Sequence, residues 1–138
     1  MKTAPNPHMI YADITMSNPR EQDLSPLVVK ALVDTGARFM CVPEHVAAQL
    51  KLEPSPNLGQ REVTLADGSS RVVPYVGPLY VKFANRSCFT GALVMGDEVI
   101  LGLTPMGDMD LVVFAEEKRL SVNPESPNFA MAYAKNAI

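Results

Sequence analysis

Only two cysteines and two histidines occur among the 138 residues. Cys41 and Cys88 stand in apolar, strand-like text, with no Cys-x-x-Cys spacing and no histidines at zinc-finger intervals. They read as reduced core thiols, and a disulfide framework is not expected. His8 and His45 lie apart from each other and from any nucleophile motif, so both read as solvent-facing and no metal set is expected. Positive charge is nowhere concentrated. Twelve Lys and Arg against 15 Asp and Glu leave a net charge of −3, which argues against nucleic acid or an anionic membrane as partner. No apolar run approaches the ~20 residues that a membrane-spanning helix needs. The opening MKTAPNPHMIYADI carries one lysine but no apolar core of signal-peptide length. A cytoplasmic location is the expectation that fits.

Hydrophobic residues make up 47% and charged residues 20%, ordinary values for one globular domain with a real core. The patterning is mostly β. MIYADITM alternates, with Ile10, Ala12, Ile14 and Met16 on one face. SNPREQDLSP is a polar loop, and LVVKALV and ARFMCV read as strands. PEHVAAQL is the best helix signal: Pro43 suits the first turn, Glu44 favours its positive end, and Val46, Ala47 and Leu50 form an inner stripe. REVTL and SRVVPYV flank a turn at Asp67-Gly68; GPLYVKF and CFTGALVM flank ANRS; LVVF and RLSVN flank AEEK. EVILGL reads as a short buried strand, and TPMGDMD as a short helix or a turn. The expected domain covers residues 1–123, followed by a segment 124–138 read as tail or helix. Many short strands with closely spaced turns predict a closed or sandwich-like all-β domain with one or two short helices.

One stretch is chemically unusual. In LVVKALVDTGARFMCVP, Asp34, Thr35 and Gly36 interrupt an apolar run. Asp-x-Gly is commonly an ordinary turn in which the carboxylate bonds nearby amides. Such turns usually have polar shoulders, whereas this one has Ala31-Leu32-Val33 before it and Ala37 after it. A carboxylate in an apolar setting must be paired, hydrogen-bonded or protonated.

With these residues the chain resembles the retropepsin-like (clan AA) aspartic proteases, particularly their small single-domain bacterial members. Three elements carry the resemblance over roughly residues 8 to 123: ALVDTGA at 31–37, VTLADGSSRVV where the family has its flap hairpin, and VILGL at 99–103. After Gly102 the text LTPMGDMDLVV departs from the Arg-Asp or Arg-Asn of many retroviral members. The resemblance implies an aspartic endopeptidase in which two carboxylates activate one water, so no cofactor or metal is implied. The chain holds seven Asp but a single Asp-Thr-Gly, so one chain supplies half a site. A homodimer then brings Asp34 against its symmetry mate. On the same resemblance Thr35 would bond across the dimer axis, Gly36 would let substrate backbone approach, and Ala37 would line the cleft floor. Leu65, Ala66, Asp67, Gly68 and Ser69 would form the flap tip over a polypeptide substrate held extended. Plainer readings stand beside these: a turn hydroxyl, a turn glycine, core packing and an exposed hairpin. Gly102 reads as a packing residue, and the pairs Asp97-Glu98 and Glu116-Glu117 as solvated turn charges. Two other readings of the whole chain are a non-catalytic dimeric peptide-binding or scaffold module with this fold, and an unrelated small β-barrel.

Overall fold

A computed structural model describes residues 8–54 and 59–134. The elements run β1 (Ile10–Ser17), β2 (Leu27–Val33), β3 (Met40–Val42), α1 (Glu44–Gln49), β4 (Glu53–Pro54), β5 (Gln60–Thr64), β6 (Ser70–Phe83), β7 (Arg86–Val94), β8 (Ile100–Leu101), α2 (Leu103–Asp108), β9 (Leu111–Phe114) and β10 (Arg119–Val122). The strand order β1-β2-β8-β3-β7-β6 is closed by pairing of β1 with β6, which makes a six-stranded barrel. Closure leaves no free edge within the ring, the usual remedy for unpaired strand groups. β9 and β10 form a separate antiparallel pair whose second strand packs near β1.

Alternation decides which side chains fill the barrel. Along β1, Ile14 and Met16 are fully buried, and Ile10 and Ala12 pack against the same core. Along β2 the inward positions are Leu27, Val29, Ala31 and Val33, while Val28 and Lys30 face outward. The α1 stripe is as its sequence suggests, with Val46, Ala47 and Leu50 buried and His45 exposed. Pro43 differs from expectation, because it caps the helix from an extended conformation instead of opening its first turn. Both cysteines are buried and free. Burial pushes the Cys88 thiol up to about 11, with the charge of Asp108 adding to the effect.

The two segments SRVVPYV and GPLYVKF are one 14-residue strand, β6. The Gly77-Pro78 pair that opens the second segment carries a cis peptide bond and coincides with a register shift between Val76 and Leu79. The first half of β6 pairs with β5, and the second half crosses to β1. One strand therefore serves both the hairpin and the barrel.

Two polar anchors fix the loops. Asn18 is buried in the polar loop after β1, and its Nδ2 donates to the carbonyls of Leu50 (2.9 Å) and Lys51 (3.1 Å) at the end of α1. Asp110 ties down the segment after β10, which carries no helix or strand over 124–134. Its carboxylate accepts from the Ser126 hydroxyl (2.5 Å), the Met131 N–H (2.9 Å) and Asn123 Nδ2 (3.1 Å). Buried Arg86 stands beside it, with Nε donating to the Met109 carbonyl and Nη2 to the Ser126 carbonyl.

Those bonds, the Ser126 hydroxyl first, then the Met131 N–H, Asn123 and the Arg86 charge, hold the Asp110 carboxyl down from 3.8 to about 2. A depressed carboxyl stabilises the fold above its unfolded value and loses that contribution as pH falls through its folded value. Asp110→Asn is thus expected to unfold at lower urea than the parent at pH 7. The gap should narrow between pH 4 and pH 2, which urea titrations at the two ends will show.

Candidate active site

Asp34 is the first residue past the paired part of β2. Val33 lies beside Leu101 in the parallel β2–β8 ladder, and the Asp34 N–H donates to the Leu101 carbonyl at 3.1 Å. The chain then turns over five residues. The Ala37 N–H returns to the Asp34 carbonyl (3.2 Å), and the Gly36 N–H donates to Asp34 Oδ1 (2.8 Å). The loop is welded to α2 as well, since the N–H groups of Leu103 and Thr104 donate to the carbonyls of Ala37 and Arg38, both at 2.8 Å. Helix N-termini leave such donors unsatisfied. Here the Asp34 loop satisfies two of them, which ties α2 to the loop.

The close fit explains two glycines. A Cβ at Gly102 would stand 2.4 Å from the Phe39 carbonyl oxygen and 2.8 Å from that of Ala37. The apolar-apolar-Gly element thus has a packing role, as the sequence suggested. A Cβ at Gly36 would stand 3.1 Å from Asp34 Oδ1. Gly36 is not in the left-handed region. Its need for glycine comes from proximity to the carboxylate, and not from backbone conformation.

Within one chain Asp34 is half-buried, Thr35 and Gly36 are exposed and Ala37 is half-buried. The apolar shoulders belong to the barrel, while the triplet emerges at its surface. Beneath it, burial and then the Asp34 charge push the Cys41 thiol up, which puts this core cysteine within electrostatic reach of the carboxylate.

The second sequence element forms the β5–β6 hairpin. The Leu65 N–H donates to the Ser69 carbonyl (2.8 Å) and the Gly68 N–H to the Leu65 carbonyl (2.9 Å). Gly68 has φ +88°, a left-handed conformation that glycine adopts without strain. Asp67 Oδ1 accepts from both the hydroxyl (2.5 Å) and the N–H (2.9 Å) of Ser69, and these bonds lower its carboxyl below the usual range. Ala66, Asp67, Gly68 and Ser69 are exposed, and Leu65 is half-buried.

The base of this hairpin touches the strand that follows the Asp34 loop. Cys41 and Val73 share a small cluster with Leu93, against which Phe39, Val63, Tyr75 and Ile100 pack. The rings of Phe39 and Tyr75 meet edge to face at 6.4 Å. Gly91 makes room for this contact, since a Cβ there would fall 2.2 Å from the Tyr75 ring. The sequence reading assigned no role to Phe39, Tyr75, Gly91 or Arg61, whose guanidinium lies 4.6 Å from the Tyr75 ring centre. In the β6–β7 ladder Tyr75 pairs with Leu93 and Gly91 falls at the register shift, so no local pattern in the sequence marks the contact. Asp97 is exposed and Glu98 half-buried beside the Tyr11 hydroxyl, which burial and then Glu98 raise above its ordinary value. No group of three or more metal-ligating side chains comes together among the described residues.

A search of curated proteins finds no match. Among solved structures, the retroviral protease-like domain of Ddi1 from Leishmania major superposes with a TM-score of 0.56 at 14% identity, covering 86% of this chain and 91% of that one. The EIAV protease in complex with the inhibitor HBY-793 is also matched, with a TM-score of 0.47 at 19% identity over 73% of this chain and 88% of that one. The Ddi1 likeness establishes a retropepsin-like fold. The family model described as "gag-polyprotein putative aspartyl protease" matches residues 26–107, from the strand before Asp34 through α2. That match spans more than half of the sequence and contains both the Asp-Thr-Gly loop and the β5–β6 hairpin, and the chain belongs to this family of retroviral-type aspartyl proteases.

Proposed function

We propose that the protein is an aspartic endopeptidase that works as a two-fold homodimer, with Asp34 of each chain forming the catalytic pair. The observation that carries this reading is the Asp34 loop itself. It presents a half-buried carboxylate and an exposed Thr35-Gly36 at the barrel surface, held rigidly by β8 and α2. A two-fold axis beside the loop would set Asp34 against the partner's Asp34 and cover the exposed triplet. Thr35, exposed in one chain, is then placed to bond across the axis.

The chemistry follows from the pairing. Two adjacent carboxylates resist double ionisation and share one proton, as is established for aspartic proteases generally. The ionised member takes a proton from water as that water attacks the scissile carbonyl. The protonated member donates to the carbonyl oxygen. The Gly36 N–H holds Oδ1 of Asp34 in place through the cycle. Substrate is polypeptide, bound extended as an added strand between Ala37 on the cleft floor and the 65–69 hairpin acting as a flap.

Cleavage of a mixed peptide library by parent and Asp34→Asn proteins, prepared identically, tests this reading. Equal cleavage by both would assign the activity to a contaminant. A stable parent dimer that binds peptides and cleaves none would favour a non-catalytic peptide-binding module.

The flap makes a second test. Gly68→Val forces a β-branched residue into φ +88° with open space around it, so strain and not collision is the cost. Stability should fall by about 1 kcal/mol. KM should rise severalfold through poorer capture of substrate. Unchanged KM in a normally folded variant would remove the flap assignment.

A further inference from the structure

Two arginines meet where the flap base reaches the Asp34 loop. Arg38 follows Ala37 directly, and its carbonyl is pinned by the Thr104 N–H. Its guanidinium carbon lies 5.8 Å from the centre of the Phe39 ring. Arg61 comes from β5, where it stands opposite Val73. Its guanidinium carbon lies 6.0 Å from the same Phe39 ring centre and 4.6 Å from that of Tyr75. Two cations from different elements thus approach one aromatic ring, that of Phe39, five residues along the chain from Asp34.

Among the described residues no carboxylate pairs with either arginine. Arg86 pairs with Asp110 and Arg119 with Glu117, and neither of these pairs involves Arg38 or Arg61. Arg61 Nε is buried and finds no hydrogen-bond acceptor. In a protein of net charge −3, with more acids than bases, two guanidinium groups thus approach one ring with no carboxylate paired to them among the described residues. The aromatic faces offset part of the cost of holding them. A planar guanidinium lying against an aromatic ring keeps its fork free for bidentate recognition of a carboxylate.

We propose that Arg38 and Arg61 form a subsite that selects an acidic side chain, Asp or Glu, in the polypeptide that lies along the Asp34 loop. The proposal rests on the peptide-cleft reading above and gives it a substrate class. The carboxylate enters between the flap base and the Asp34 loop, where it accepts from the accessible N–H groups of the Arg38 and Arg61 guanidiniums. Arg38 is exposed and Arg61 half-buried, so the first steers the peptide and the second holds it.

The test uses two peptide series of identical sequence, one with Glu and one with Gln at each successive position. Binding is measured by fluorescence anisotropy and cleavage by mass spectrometry. The parent is expected to favour Glu at one position by about tenfold, with the difference in KM and in Kd and not in kcat, and to lose the advantage at high salt. Arg38→Gln, at an exposed site, should reduce the preference without loss of fold, and Arg61→Gln should reduce it further. Arg61→Lys should restore part of it. The double variant Arg38→Glu with Arg61→Glu should turn the preference towards Lys. Equal treatment of Glu and Gln peptides by the parent at every position overturns the proposal, as does an undiminished preference in folded Arg38→Gln and Arg61→Gln. A Glu preference in binding, with no cleavage of any peptide, would uphold the subsite and defeat the protease reading, so the two failures are distinct.

Discussion

Asp34→Asn is expected to lower peptide cleavage by at least about a thousandfold, because in the proposed homodimer one substitution removes both the general base and the general acid. The amide keeps the size of the side chain and can still accept the Gly36 N–H that bonds Oδ1 at 2.8 Å. The loop should therefore keep its shape, with its ties to Leu101 and α2 intact. Dimerisation should survive or strengthen, since two amides face each other without like-charge repulsion. A transition-state mimic carrying a hydroxyl in place of the attacking water should bind the parent more tightly than the variant. The decisive combination is normal melting, normal sedimentation and absent cleavage. Residual cleavage above a tenth of the parent rate would take the chemistry away from Asp34.

Gly102→Ala should produce the largest loss of stability of any single methyl addition in the site. The added carbon would stand 2.4 Å from the Phe39 carbonyl oxygen and 2.9 Å from the Arg38 carbonyl carbon, all backbone, so no rotamer change relieves the clash. Overpacking of this kind costs about 3 kcal/mol. Relief requires α2 to part from the Asp34 loop, which stretches the bonds from Leu103 and Thr104 to the carbonyls of Ala37 and Arg38. Activity should fall with stability, because the same movement displaces Asp34. Gly107→Ala is the control. It lies in α2 with nothing within 4 Å of an added carbon, and alanine favours a helix over glycine. Chemical unfolding of the two variants side by side should show a large loss for the first and none for the second. Equal stability would mean that the loop and α2 are not rigidly joined.

The two glycines of these contacts differ in how visible they are in sequence. Asp-Thr-Gly stands out in the sequence, because turns of this kind usually have polar shoulders and this one has apolar ones. Gly102 can be read as packing, but its partner, the Phe39 carbonyl, lies across the fold and leaves no trace in local pattern. The alternation of β1 and the stripe of α1 were legible since their periods are local. β6 was not legible as a single strand, because Gly77-Pro78 carries the composition of a break while the structure uses it as a register shift inside continuous pairing. Asp110 was equally hidden. It follows Gly107 in text that reads as a turn, yet it collects Ser126, Met131 and Asn123 from 13 to 21 residues away. Phe39, Arg61 and Tyr75 were missed for the same reason, as their meeting depends on where β5 and β6 pass the Asp34 loop.

The shared pair of Asp34 carboxylates is tested most directly by mixing. Parent protein is equilibrated with a threefold excess of Asp34→Asn at a total concentration where chains exchange freely, and cleavage is measured per parent chain. If catalysis needs Asp34 from both chains, only parent chains that meet parent chains are active, and the rate per parent chain falls to about one quarter of its unmixed value. A rate per parent chain that stays constant on mixing, with exchange verified, would show that one Asp34 suffices and would contradict the account.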